Sequence, residues 1–230
     1  FNAKGFEDMT NADFFTAYYP ENDHLSVAGH NARAVSEIIK KYSHETRLRN
    51  PKIGSIGSGA GILQTTLGWP IVNIDMLEEI LDVSKRRNIQ QGDYVIGEAS
   101  TLPIKGDTFD VSDASFMLHW SSNKRLLKNE HNTSERAQIL EELNRITKTS
   151  GLVIITLPPS YLNKDQFKLW QQTLEKHFGF KTREVTPSGL LRATDFKTED
   201  IAWIFNLEKT GNVEPGYDIN SLAFDFEKIV

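Results

Sequence analysis

A glycine-rich turn, Gly57-Ser58-Gly59-Ala60-Gly61, is the feature that most limits how this chain can fold. It follows a short apolar run at residues 52–56 and precedes a segment with helical spacing at residues 62–67. Glycine adopts backbone conformations that other residues avoid, and it lets a ligand approach the main chain closely. Strand, turn and helix in this order favour a cofactor-binding loop, although glycine loops also serve as plain structural turns.

Along the rest of the chain, short apolar runs alternate with longer amphipathic ones, which is typical of a parallel sheet flanked by helices. We predict an α/β fold built on a doubly wound, mostly parallel seven-stranded sheet with helices on both faces. The last two strands are expected to form an antiparallel hairpin at the sheet edge. Predicted strands lie at residues 52–56, 71–74, 94–97, 109–116, 152–157, 180–185 and 201–207. Predicted helices of this region lie at residues 62–67, 77–87, 133–147 and 164–178.

The 230 residues suit one domain with additions at both ends. Residues 1–50 are predicted to form a helical lid or flank, with helices near residues 11–19 and 26–42. Residues 51–208 form the predicted core, and the turn-rich residues 209–230 are an extension of unclear role. Because the sequence starts at Phe1 rather than Met, a partner domain is one alternative that we keep. A homo-oligomer is another.

Charge and composition narrow the class of protein. The net charge is −5 and basic residues are scattered, which disfavours a nucleic-acid partner without excluding one. No apolar run approaches the ~20 residues that cross a bilayer, and no secretory signal is evident. The absence of cysteine excludes disulfides, thiolate metal sites and a cysteine nucleophile. We therefore expect a cytoplasmic protein with no membrane partner.

The spacing of the glycines excludes two common phosphate-binding loops. A dinucleotide fingerprint needs G-x-G-x-x-G, but the sixth position is Ile62 counting from Gly57 and Gln64 counting from Gly59. A P-loop needs a lysine directly after its last glycine, and none is present. The remaining G-x-G-x-G pattern suits a cofactor whose amino-acid tail and sugar lie over the loop.

An acidic residue follows the next predicted strand. Asp75 comes directly after Ile71-Val72-Asn73-Ile74, so a carboxylate is expected at the carboxyl edge of the sheet beside the glycine loop. Ribose hydroxyls are good donors to such a carboxylate. The alternative is that Asp75 caps the following helix, a role for which Asp is well suited.

Four segments together resemble the class I S-adenosylmethionine-dependent methyltransferases, over residues 52–157 with a weaker tail to residue 207. Residues 53–61 are similar to the family's glycine motif, and residues 75–81 to its acidic strand end. Gly97-Glu98-Ala99-Ser100-Thr101-Leu102-Pro103 resembles G-D-A-x-x-L-P, with Glu98 in place of the commoner Asp. Arg145-Ile146-Thr147-Lys148-Thr149-Ser150-Gly151 resembles the R-V-L-K-P-G-G turn, with Thr149-Ser150 in place of Pro-Gly.

The resemblance implies a Rossmann-like fold and S-adenosyl-L-methionine as the cofactor. By analogy, the glycine loop lines the methionine and ribose, the strand-end acid holds the ribose, and the residue after it covers adenine. Glu98 and Ala99 hold the adenine edge, and the end of the fourth strand lies near the sulfonium. The implied cofactor-binding residues are Gly57, Ser58, Gly59, Gly61, Asp75, Met76, Glu98, Ala99, Ser115 and Phe116.

Methyl transfer is an in-line displacement from an activated sulfonium, so the protein mainly aligns the nucleophile and excludes water. Where the acceptor must lose a proton, His119 after the fourth strand is the best-placed general base, unless it only packs the strand end. Candidates for a substrate wall are aromatic, although such residues more often belong to a core: Tyr18, Tyr19, Trp120 and Trp203. The histidines lack metal-site spacing such as H-x-x-x-H, so we predict no catalytic metal.

The leading functional hypothesis is methyl transfer to an oxygen, nitrogen or carbon nucleophile of a small molecule or biosynthetic intermediate. A second hypothesis is an RNA or protein methyltransferase whose target is recognised by the N-terminal region or by a further domain. A third is a catalytically silent relative that serves as a binding or scaffold subunit. The intact glycine loop and Asp75 argue against the third hypothesis, because a silent copy has no physical need of them.

Overall fold

A computed structural model describes residues 27–87, 92–115, 117–118, 133–157, 164–188, 202–214 and 216. The helices within these ranges are α1 (Val27–Thr46), α2 (Ile62–Leu67), α3 (Glu78–Arg87), α4 (Thr133–Ile146) and α5 (Lys164–His177). The strands are β1 (Ile53–Ile56), β2 (Val72–Asp75), β3 (Asp93–Ile96), β4 (Phe109–Ser115), β5 (Thr147–Leu157), β6 (Phe180–Ser188) and β7 (Ala202–Lys209). The predicted helix near residues 11–19 lies outside the described residues.

The strands form one seven-stranded sheet in the order β3-β2-β1-β4-β5-β7-β6. Strand β1 pairs in parallel with β2 and β4, and the pairs β2–β3 and β4–β5 are also parallel. Strand β7 runs antiparallel to both β5 and β6, which confirms the predicted edge hairpin. The predicted mostly parallel α/β sheet is therefore confirmed.

Helices α1 and α2 cover one face of the sheet. The apolar cluster on this face joins Val35 and Ile39 of α1 to Val111 and Ile154 of the central strands. Near its end α1 is fixed by the Tyr42 hydroxyl, which donates to the carbonyl of Ser150 (2.8 Å) ahead of the apolar part of β5. The beginning of α1 therefore lies toward the opposite, carboxyl edge of the sheet.

Helices α4 and α5 cover the other face. Leu140 and Leu143 of α4 and Trp170 of α5 belong to one buried apolar cluster with the sheet. The ring of Phe167 stacks on Phe205 with centroids 5.2 Å apart, and it contacts Trp203 at 5.3 Å. Trp203, a candidate for a substrate wall, thus takes part in the packing of α5 on β7.

The fifth strand begins earlier than the sequence pattern indicates. We predicted a turn before residue 152, but β5 starts at Thr147, directly after α4. Its pairing with β4 jumps from Phe109↔Thr147 to Val111↔Leu152, so the expected turn is a bulge within the strand. Ser150 in this bulge has a φ of 64°, a left-handed conformation that glycine would adopt more readily.

Asn144 of α4 connects the helix layer to the chain around the β6–β7 edge. Its Nδ2 group donates to the carbonyls of Phe178 (2.8 Å) and Gly211 (2.9 Å).

We expect Asn144→Ala to lower the free energy of unfolding by about 2 kcal/mol, because both carbonyls lose this donor in a buried setting. Urea unfolding measures this change in the free energy of unfolding. Gln138→Ala, at an exposed position of the same helix, is the control and should change stability by less than about 0.5 kcal/mol; equal losses would contradict the assignment.

Candidate functional site

The carboxyl ends of β1, β2, β3 and β4 meet at one edge of the sheet. Strand β1 lies between β2 and β4. After β1 the chain continues to β2 on one side, and after β4 it continues to β5 on the other side. Ligands of open α/β sheets bind in the crevice that such a reversal of strand order leaves at the carboxyl edge. The predicted glycine loop and Asp75 both lie at this edge.

The glycine loop departs from β1 with three left-handed residues, whose φ angles are 65° at Gly57, 53° at Gly59 and 69° at Gly61. The loop is fixed by the amide of Ser58, which donates to the carbonyl of Ile74 in β2 (3.0 Å). A Cβ atom built on Gly57 would lie 2.6 Å from Cγ of Met117, in the segment after β4. The first glycine therefore serves both a backbone conformation and a close approach.

Within this loop, Ser58 has a buried hydroxyl oxygen without a hydrogen-bond partner in the described part of the chain. Buried polar atoms are normally satisfied, so this hydroxyl is a candidate to bond a ligand that lies over the loop. This hydroxyl is therefore a candidate ligand contact, whereas the amides of Ser58, Gly59 and Gly61 are bonded within the protein.

Asp75 joins the glycine loop to the start of α3. One carboxylate oxygen accepts the amide of Gly59 (3.0 Å), and the other accepts the amide of Leu77 (3.1 Å). Burial raises the pKa of Asp75, while hydrogen bonds from the amides of Leu77, Gly59 and Met76 oppose that increase. Each oxygen keeps further acceptor capacity, so bracing the loop is compatible with accepting a ligand hydroxyl.

Two large apolar side chains are exposed at the same edge, Met76 (63%) after β2 and Ile96 (54%) at the end of β3. Ile96 pairs in register with Asp75, so both side chains lie beside the site's carboxylate. Exposed apolar groups beside a polar site suit a flat apolar ligand surface. Our sequence interpretation included Met76 and missed Ile96, whose one signal is an apolar residue directly before Gly97.

Glu98, which is exposed, and Ala99, which is half-buried, follow on the next turn. This turn is anchored by α4, because Glu142 accepts the amide of Leu102 (2.7 Å) and Arg145 donates to the carbonyl of Ile104 (2.6 Å). Arg145 and Glu142 are themselves paired at 2.6 Å. We had treated Arg145 as part of a turn, whereas its side chain holds the segment that follows Glu98.

Asp113 is a buried acid that our sequence analysis also missed. It lies in β4 with 2% exposure, and its carboxylate accepts hydrogen bonds from the hydroxyls of Ser55 (3.2 Å) and Ser115 (2.6 Å). Burial raises the pKa of Asp113 to about 6, and the hydroxyl hydrogen bonds limit that increase. The available signal was an acid within a strand that is otherwise buried on both faces, where acids are rare.

Five predicted site residues lie outside the described residues, namely Tyr18, Tyr19, Phe116, His119 and Trp120. Leu118, between two such segments, is fully buried, and its carbonyl accepts a hydrogen bond from Nε of Arg136 in α4 (3.3 Å).

In the ranges that the structure describes, no group of three or more acidic or histidine side chains could hold a metal ion. None of the helices described is both long and apolar enough to span a bilayer.

Residues 54–155 match a known family described as a methyltransferase domain. Over 151 residues the chain is 28% identical to the biotin biosynthesis bifunctional protein BioHC of Cellvibrio japonicus, covering 64% of this chain and 27% of that protein. Over 92 residues it is 26% identical to a demethylmenaquinone methyltransferase of Thermotoga maritima, covering 39% of this chain and 34% of that protein. The matched segments thus span about a quarter to a third of these relatives.

Among solved structures, magnesium protoporphyrin IX methyltransferase of Synechocystis PCC 6803 with bound SAH has the same fold. It superposes with a TM-score of 0.60 at 12% identity, covering 86% of this chain and 96% of that chain. The superposition therefore covers more of the chain than residues 54–155 alone.

The dual role of Gly57 leads to a prediction with an internal control. Alanine at Gly68 must also adopt a positive φ (73°), but its Cβ would meet nothing within 4 Å. We expect Gly68→Ala to cost about 1 kcal/mol of stability from backbone strain alone. Gly57→Ala should cost about 1–2 kcal/mol more, because the Met117 side chain must move. Thermal and urea unfolding compare the two, and equal losses would contradict the close approach.

Proposed function

We propose, on the premise that residues 54–155 belong to the class I S-adenosylmethionine-dependent methyltransferases, that the chain binds S-adenosylmethionine and methylates a small molecule. The observation that carries the proposal is the half-buried Asp75 carboxylate at the carboxyl edge of the sheet, which accepts the Gly59 amide. It stands where the glycine loop and an exposed apolar surface meet.

The residues present fit the chemistry of this cofactor. Its ribose hydroxyls are donors, for which the Asp75 carboxylate is the acceptor. Its adenine ring is flat and apolar on both faces, which suits contact with Met76 and Ile96. Glu98 can accept from the adenine amino group, and Ser58 offers a buried hydroxyl to the amino-acid end.

When bound, S-adenosylmethionine supplies an activated methyl group, so the chain's residues need only bind, orient and exclude water. The fixed glycine loop orients the donor at the ends of β1 and β4. We place the acceptor beside the segment after β4, with Ser115 and Phe116 near the donor and with Tyr18, Tyr19 and Trp120 as its aromatic wall. His119 follows in the same segment and is our candidate for taking the acceptor's proton.

A small-molecule acceptor is supported by the net charge of −5, which disfavours a phosphate backbone. The relatives point the same way, since their names refer to biotin biosynthesis, to demethylmenaquinone and to magnesium protoporphyrin. An oxygen, nitrogen or carbon nucleophile is compatible with this proposal.

Cofactor binding is tested by calorimetric titration with S-adenosylmethionine and S-adenosylhomocysteine, with NAD and ATP as negative controls. We expect saturable binding of the first two ligands and about tenfold or weaker binding in Asp75→Asn, because the ribose loses a charged acceptor. The matched control is Glu79→Gln, an exposed acid on α3, which should leave affinity unchanged within about twofold. Binding of neither ligand to the folded wild type would favour the silent scaffold.

The role of His119 is tested once an acceptor is identified by screening small-molecule nucleophiles. His119→Ala is expected to lower turnover by about a hundredfold or more while leaving the dissociation constant for S-adenosylhomocysteine within about twofold, as for a general base. Steady-state kinetics and calorimetry measure the two quantities separately. Unchanged turnover would remove His119 from the mechanism, and a parallel loss of affinity would make it structural.

A further inference from the structure

Four polar side chains form a connected group at the carboxyl ends of the three central strands. Ser55 of β1 and Ser115 of β4 donate to opposite oxygens of Asp113, and the Ser115 hydroxyl also lies 3.1 Å from the hydroxyl of Thr156 in β5. We call these four residues the Asp113 cluster.

The Asp113 cluster continues the sheet face that α1 and α2 cover. Side chains two residues apart on a strand point to the same face. Ser55, Asp113 and Thr156 each come two residues after an apolar member of that face, namely Ile53, Val111 and Ile154. The face thus changes from aliphatic to polar at the edge where the glycine loop begins.

The carboxyl group of Asp113 has no positive partner among the described residues. Beside it β1 presents Ser55 and β5 presents Ile154 and Thr156, none of which is titratable. The titratable groups at the start of α1 are His30 and Arg33, which are hydrogen-bonded to each other. Asp75 lies on β2, beyond β1, and is bonded to the amides of Gly59 and Leu77. The hydroxyl hydrogen bonds from Ser55 and Ser115 offset only part of the cost of burying this carboxylate, so a cationic ligand would stabilise its charged form further.

The cluster lies next to the glycine loop, over which we expect the amino-acid end of the proposed cofactor to lie. Ser55 precedes Gly57 by two residues, and Ser115 stands at the end of β4. The glycine loop itself carries the Ser58 hydroxyl but no acidic side chain. The acid of the neighbouring strand, Asp75, is assigned to the ribose. Of the two described acids that lie on β2 and β4 at this edge, Asp113 is therefore the one that has no assigned ligand group.

We infer that Asp113 is the counter-charge for the ammonium group at the amino-acid end of S-adenosylmethionine. This inference rests on the proposed function. Asp113 is then a cofactor-binding residue whose ionisation is coupled to ligand binding, with Ser55 and Ser115 as the groups that position its carboxylate.

The coupling has a definite sign. In the free protein burial raises the pKa of Asp113 to about 6, so near that pH about half of the molecules carry the proton. A nearby cation favours the carboxylate and lowers this pKa. Binding near pH 6 should then release up to about half a proton, and binding near pH 8 should release none through Asp113. Affinity should accordingly rise as the pH is raised from about 5 to about 7.5.

The experiment is calorimetry with S-adenosylhomocysteine, which keeps the ammonium and lacks the sulfonium, near pH 6 and pH 8 in buffers of different ionisation enthalpy. For the wild type we expect proton release of about half a proton near pH 6 only. Asp113→Asn should abolish that release and weaken binding near pH 8 about tenfold. Affinity for 5′-methylthioadenosine, which lacks the amino-acid end, should change less than about twofold.

Two further variants make the test specific. His30→Gln should keep the wild-type proton release, which excludes the histidine of α1 as its source. Ser55→Ala removes a hydrogen bond to the carboxylate and should shift the release to higher pH, and this variant decides the matter if Asp113→Asn does not fold. No binding of S-adenosylhomocysteine near pH 8 would overturn the proposed function. Binding with a proton release that Asp113→Asn and Ser55→Ala leave unchanged, or an equal affinity loss for both ligands in Asp113→Asn, would overturn this inference alone.

Discussion

The placement of β1 between β2 and β4 is the constraint on which the rest of this molecule depends. Parallel strands present all their carboxyl ends at one edge, so every loop that leaves them there contributes to one crevice. The glycine loop follows β1, Asp75 ends β2, Ile96 ends β3 and Ser115 ends β4. Strand pairing thus brings residues that are far apart in sequence to the same edge of the sheet.

The two acids of this edge, Asp75 and Asp113, accept hydrogen bonds from chemically different donors. Asp75 receives main-chain amides, which can only donate and therefore favour the charged carboxylate. Asp113 receives hydroxyls, which can donate or accept and therefore tolerate either protonation state. A fixed carboxylate suits an invariant partner such as a ribose. An acid with adjustable neighbours suits a charge that is present only when a ligand is bound.

Hydrophobic periodicity predicted the positions of β1 to β7 along the chain and most of their bounds to within a few residues. It did so because burial in a parallel sheet demands continuous apolar runs. It failed at β5, where a bulge around Ser150 keeps polar residues within the strand. The glycine loop and Asp75 were predicted because their chemistry is local. Ile96, Arg145 and Asp113 were missed or misread because each acts through a partner distant in sequence, which a local pattern does not reveal.

Helix α4 anchors the described part of the candidate site at two places. The segment after Glu98 is anchored to α4 by Glu142 and Arg145, and the same helix holds the carbonyl of Leu118 through Arg136. One helix therefore anchors both the turn that follows Glu98 and the main chain at Leu118 after β4. Because these hydrogen bonds join side chains of α4 to main-chain groups, they constrain the path of the backbone whatever side chains the two segments carry.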